Sequence, residues 1–169
     1  MHPRKTSLLG LTALAASCAS VALADTVRAV DDGRGDAKCA SKRCLDLKNA
    51  VAGTGLFNKS EVLYTITQHD AVQRSRLPRI AINAAGAGTS APEYYVERKG
   101  SRTGVFDANT GKRTGAAALD TSGGTAVRWS FLPSAIGDPG SFGWRVEIVA
   151  GAEKIDATPN SGYRARSLR

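Results

Sequence analysis

Two cysteines and one histidine carry the most specific chemistry in the chain after residue 24. Cys39 and Cys44 bound the run Cys39-Ala-Ser-Lys-Arg-Cys44, and His69 sits in Ile66-Thr67-Gln68-His69-Asp70. A structural zinc ion needs four ligands, and two sulfurs with one imidazole fall short of that. A redox pair is usually Cys-x-x-Cys beside a βαβ pattern, and neither is present. In an oxidising compartment two cysteines this close form a disulfide, so Cys39–Cys44 is read as a structural bridge. The ring is small, and its contribution is about 2 kcal/mol by chain entropy. Any Ser-His-Asp or Cys-His site would have to use His69, although a solvated histidine at a strand end is the commoner case. No G-x-S-x-G elbow, phosphate-binding loop or H-E-x-x-H occurs. Paired carboxylates can act as acid and base, as in glycosidases, but the sequence places no two of them across a cleft. The expectation is a protein that is not an enzyme.

The compartment is read from the first residues. His2, Pro3, Arg4 and Lys5 form a short basic flank, and an apolar run from Leu8 to Ala24 ends in Ala22-Leu23-Ala24. Basic flank, apolar centre and small-x-small end are the parts of a secretory signal peptide, with cleavage expected after Ala24. The run holds Thr12, Ser17, Cys18 and Ser20, and it is short for a membrane span, which takes about 20 predominantly apolar residues. No transmembrane span is expected in the mature chain. An alternative is processing before Cys18, after Ala15-Ala16-Ser17, which would anchor the protein to the cell surface by lipid.

The full chain of 169 residues has a net charge of +8, and removing Arg4 and Lys5 leaves +6. The cations look dispersed, apart from Arg164, Arg166 and Arg169 at the end. A nucleic-acid surface would gather basic residues on one face with aromatics among them, so no nucleic acid is expected as a partner. Dispersed positive charge fits solubility and loose attraction to anionic cell-wall polymers.

These residues must be positioned by strands. Val62, Tyr64 and Ile66 alternate with Leu63, Thr65 and Thr67, a period of two. Leu45 to Val51, Arg79 to Asn83 and Glu93 to Arg98 read as further strands. Thr103 to Asp107 and Lys112 to Ala118 flank a hairpin turn at Ala108-Asn109-Thr110-Gly111. Val127, Trp129 and Phe131, then Phe142, Trp144, Val146 and Ile148, give the clearest one-sided alternation. Between them Leu132 to Gly137 fits one helical turn, with Pro133 early and Gly137 at its end. The prediction is an all-β, single antiparallel β-sandwich of about eight strands, jelly-roll-like. The expected organisation is a signal peptide over 1–24, an irregular N-terminal loop with the short disulfide over 25–44, the sandwich over 45–156 and a basic tail over 157–169.

Particular strings carry a resemblance. Asp32-Gly33-Arg34-Gly35-Asp36 is followed by Cys44-Leu45-Asp46-Leu47, then by Val127-Arg128-Trp129-Ser130-Phe131 and Asp156-Ala157-Thr158-Pro159-Asn160. In that order they resemble small secreted actinobacterial β-sandwich proteins of mostly unassigned function. They are also similar to the DOMON-like and carbohydrate-binding family 9-like accessory domains of secreted hydrolases. The resemblance implies that the acidic loop holds a structural calcium ion, with Asp32, Asp36 and Asp46 as ligands and Asp156 joining them. Calcium takes six to eight oxygens, which carboxylates and backbone carbonyls of a Gly-containing loop supply. The plainer reading is that Asp32 and Asp36 make turns. Sugar-binding relatives hold glycans between exposed rings. Trp129 and Trp144 fall in line with aliphatic neighbours and are expected in the core. Tyr94 and Tyr95 are the candidate ligand-binding pair, one facing inward and the other outward, with Tyr163 as a further surface ring.

The function expected from these readings is extracellular or cell-envelope binding without catalysis. The partner would be a cell-wall polysaccharide or another secreted protein. A calcium-stabilised glycan-binding module and an uncharacterised secreted hydrolase are the alternatives.

Overall fold

The computed structural model describes residues 28–37, 45–54, 60–88, 90–151 and 153–168. Cys18, Cys39 and Cys44, and with them the disulfide, the lipid anchor and the signal peptide, lie outside the described residues. Twelve strands occur among the described residues: β1 (Arg28–Asp31), β2 (Leu47–Thr54), β3 (Val62–Gln68), β4 (Arg79–Asn83), β5 (Tyr94–Lys99), β6 (Arg102–Asp107), β7 (Arg113–Gly115), β8 (Ala117–Asp120), β9 (Ala126–Phe131), β10 (Ser141–Ala150), β11 (Glu153–Thr158) and β12 (Arg164–Ser167). They form two antiparallel sheets. One runs β1-β2-β3-β9-β8; the other runs β11-β10-β4-β5-β6-β7, with β12 also paired to β10. The all-β sandwich expected from alternation is the architecture observed.

Side-chain alternation sets the core. On β3, Val62, Tyr64, Ile66 and Gln68 are buried while the residues between them are half-exposed. Trp129 and Trp144 are both fully buried, as expected. The Tyr64 ring meets Trp144 edge-on at 5.1 Å and lies parallel to Phe131 at 6.3 Å, joining the two sheets. The Trp129 indole N–H donates to the Pro78 carbonyl at 3.0 Å, so that buried donor is satisfied. The predicted helical turn is a 3₁₀ turn over Pro133–Ile136, closed by Gly137 at φ 83°, a backbone angle that glycine adopts without strain.

The strand count exceeds the expected eight for identifiable reasons. β1 lies in the stretch expected to be irregular and pairs Val30 with Ala50. β11 and β12 reach into the supposed tail and share one edge of β10, β11 along Val146–Ala150 and β12 along Ser141–Trp144. β11 and β12 are rich in charge and carry Asp156, Thr158 and Arg166 at buried positions, whereas β1 is only four residues long, with Val30 buried. The run Lys112 to Ala118 is two strands: β7 pairs with β6 in one sheet, and β8 pairs with β9 in the other. The hairpin turn itself forms as expected, with Asp107 Oδ1 accepting the Asn109 and Thr110 amides at 3.0 and 2.7 Å.

Candidate functional site

The acidic loop between β1 and β2 is folded onto the far sheet. Asp156, on β11, is 5% exposed, and its Oδ2 accepts the Leu47 amide at 2.7 Å across 109 residues of chain. Its Oδ1 accepts the Ala157 amide at 2.8 Å. This carboxylate therefore bridges the start of β2 in one sheet to β11, an edge strand of the other. Asp46, just before β2, is 6% exposed, and its Oδ2 accepts the Gly35 amide at 2.7 Å, placing that carboxylate against the Asp32–Asp36 loop. Asp36 accepts from the Asn160 side chain at 2.8 Å.

Four expected carboxylates thus meet at one corner. One oxygen from each of Asp32, Asp36 and Asp156 lies within 4.8 Å of the others. Asp46 stands outside that distance, yet its charge acts on both Asp32 and Asp156. Burial, then the charges of Asp156 and Asp36, push the Asp32 carboxyl up to about 7, against an opposing amide from Gly33. Burial raises Asp156 as well; the Leu47 and Ala157 amides pull it back. Asp32 Oδ2 and Asp46 Oδ1 are sealed from solvent with no hydrogen-bond partner. Sealed acceptors without donors are costly, and concentrated negative charge adds to the cost. A groove of about 270 Å³, lined by Asp36, Lys154, Asp156 and Asn160, opens beside the corner and leads to solvent.

The predicted ring site is only partly assembled. Tyr94 faces inward and packs against the core, whereas Tyr95 faces outward, opposite Phe106 on β6. The Arg79 guanidinium covers the Tyr95 ring at 3.8 Å. Tyr163 is not a surface ring: it is 8% exposed, with Arg145 stacked 5.0 Å from its centre. Of the basic tail, Arg164 is exposed, Arg166 is 3% exposed and faces inward beside Phe142, and Arg169 lies outside the described residues. His69 is half-buried beyond β3. Its amide donates to the Asp46 carbonyl at 2.9 Å, and its Nε2 has no hydrogen-bond partner.

Sequence reasoning missed a polar layer on the outer face of the larger sheet. Glu147 is 3% exposed and receives Arg79 on one carboxylate oxygen and Arg145 on the other. Arg79 and Lys99 also reach Glu97, at 3.8 and 3.3 Å, and Lys99 lies over the Phe106 ring at 4.6 Å. The signal for this layer was present as polar residues alternating with the core positions on β4, β5 and β10, but their partners come from strands far apart in sequence.

No protein-family model, characterised protein or solved structure matches this chain. Among the described residues no helix is long and apolar enough to cross a membrane.

Proposed function

We propose that the protein is exported and acts by binding outside the cell, without catalysis, and that its acidic corner holds a divalent cation. The observation that carries the cation is the convergence of Asp32, Asp36 and Asp156 beside buried Asp46, whose second oxygen lacks any donor. The donors are all hard oxygens, the set that calcium takes in preference to softer metals. A bound ion would satisfy the orphaned oxygens and offset the mutual repulsion of the acids. Because the corner links the β1–β2 loop to β11, the ion would also fasten the two sheets together at one edge.

Export is supported by the basic flank and apolar run of residues 2–24. The reading without catalysis rests on the sequence, in which no G-x-S-x-G elbow, phosphate-binding loop or H-E-x-x-H occurs. Two measurements test these parts separately. N-terminal sequencing of protein from the culture medium should begin at Asp25; protein found only inside the cell with residue 1 intact would contradict export. Calorimetric titration of calcium chloride into chelator-treated protein should show saturable binding near one ion per chain. Asp46→Asn together with Asp156→Asn should abolish it. Absence of heat with the unsubstituted protein would refute the cation site.

A further inference from the structure

The positive charge that looks scattered along the chain is gathered by the fold. On the larger sheet, Ile80, Val96, Val105 and Val146 face the core, so their neighbours face out. Five successive strands each present one cation on that outer face: Arg145 on β10, Arg79 on β4, Lys99 on β5, Arg102 on β6 and Arg113 on β7. Glu97 and Glu147 are the acids among them, leaving an excess of three positive charges. The smaller sheet is different. Across β3, β9 and β8 its outer face carries Leu63, Thr65, Thr67 and Ser130, and its charges, Arg128 and Asp120, neutralise one another at 3.0 Å.

Four of the five cations are held by the protein's own groups before any ligand arrives. Glu147 holds both Arg79 and Arg145, and the Tyr95 and Tyr163 rings pack against those guanidinium groups. Lys99 is braced by Phe106 and Glu97. Arg113 donates to the Thr103 carbonyl at 3.0 Å and lies across Gly104, where any side chain would collide with it. Strands recur about every 4.8 Å, so five of them set cations over roughly 20 Å of flat surface. Groups fixed in advance lose little entropy on binding, which favours them as contacts.

We infer that this face binds an anionic polysaccharide, lying flat across β10-β4-β5-β6-β7. The choice of ligand rests on the proposed extracellular role; the cationic band itself does not. Charge complementarity argues for a polyanion. The Tyr95 and Phe106 rings are covered by the protein's own cations, so they offer no open platform on which nucleic-acid bases would stack. The exposed guanidinium groups of Arg102 and Arg113 suit carboxylate and phosphate groups, and repeated acidic sugars supply such groups along an extended chain.

The test measures binding of the purified full chain to polygalacturonate, to neutral dextran and to single-stranded DNA of matched length, at low and high salt. Polygalacturonate should bind more tightly than DNA, dextran should not bind, and high salt should weaken the interaction. Arg102→Glu with Arg113→Glu, both at exposed positions, should lower polygalacturonate affinity at least tenfold. Lys48→Glu with Arg128→Glu, on the other sheet, changes net charge equally and should alter affinity less than twofold. Thermal melts of both double variants establish that each is folded. No polygalacturonate binding, tighter DNA binding, or equal loss in both double variants would overturn the inference. None of these results bears on calcium binding, so failure here leaves the acidic corner standing, and failure there leaves this face standing.

Discussion

Asp32 shows how a single residue registers the corner around it. Its carboxyl is held near 7 in the fold against 3.8 for an ordinary aspartate. Between those values the folded protein binds this proton more tightly than the unfolded chain does. The resulting stabilisation is fully present below about pH 4 and is lost as pH rises through about 7. Asp156 is shifted in the same direction and adds to the trend. In chelator, denaturation midpoints should therefore fall from pH 4 to pH 7, and Asp32→Asn should flatten the slope. A rising midpoint over that range would mean that the acids are already compensated. The residues Asp32, Asp36, Asp46 and Asp156 were legible in the sequence as candidates. That Asp156 works chiefly as an acceptor for Leu47 was not, because a hydrogen bond spanning 109 residues leaves no local pattern.

At the scale of elements, β10 is the hub. It pairs with β4 on one side and with β11 and β12 end to end on the other, and it carries Trp144 inward and Glu147 outward. Strands with regular apolar alternation, such as β3, β9 and β10, were legible because burial repeats every second residue. β11 and β12 were not, since Asp156, Thr158 and Arg166 take buried positions where apolar residues announce a strand, and β1 was not because four residues are too few for a period of two to show. Strands β7 and β8 look like one in the sequence because a single residue, Ala116, separates them where the chain changes sheet. The layer around Glu147 gives this scale its prediction. Glu147→Ala leaves Arg145 without its carboxylate and Arg79 with Glu97 alone, and should cost about 2–3 kcal/mol in urea denaturation. Lys99→Ala, on a side chain nearly half exposed, should cost less than about 1 kcal/mol. Equal costs for the two would show that Glu147 does not organise the layer.

For the whole molecule, the sandwich separates two chemistries. Acids gather at the edge where the β1–β2 loop meets β11, and cations spread over one broad face. The sequence shows an excess of positive charge but not this division, which arises from strand register. Alternation on β4, β5 and β10 assigns one cation after another to the same side, although they lie tens of residues apart. The corner is small, yet it spans both sheets, so an ion there acts on global stability and not only on a loop. A ligand that binds only the folded state raises stability by about 2.7 kcal/mol at one hundred times its dissociation constant.

The most direct measurement is thus a thermal melt of the chain in chelator at pH 7.5, repeated after calcium chloride is added in excess. The melting temperature should be several degrees higher with calcium, with no such rise in the Asp46→Asn, Asp156→Asn double variant. An identical melt with and without calcium would contradict the cation site and leave the acidic loop with only its turn-forming and strand-joining hydrogen bonds.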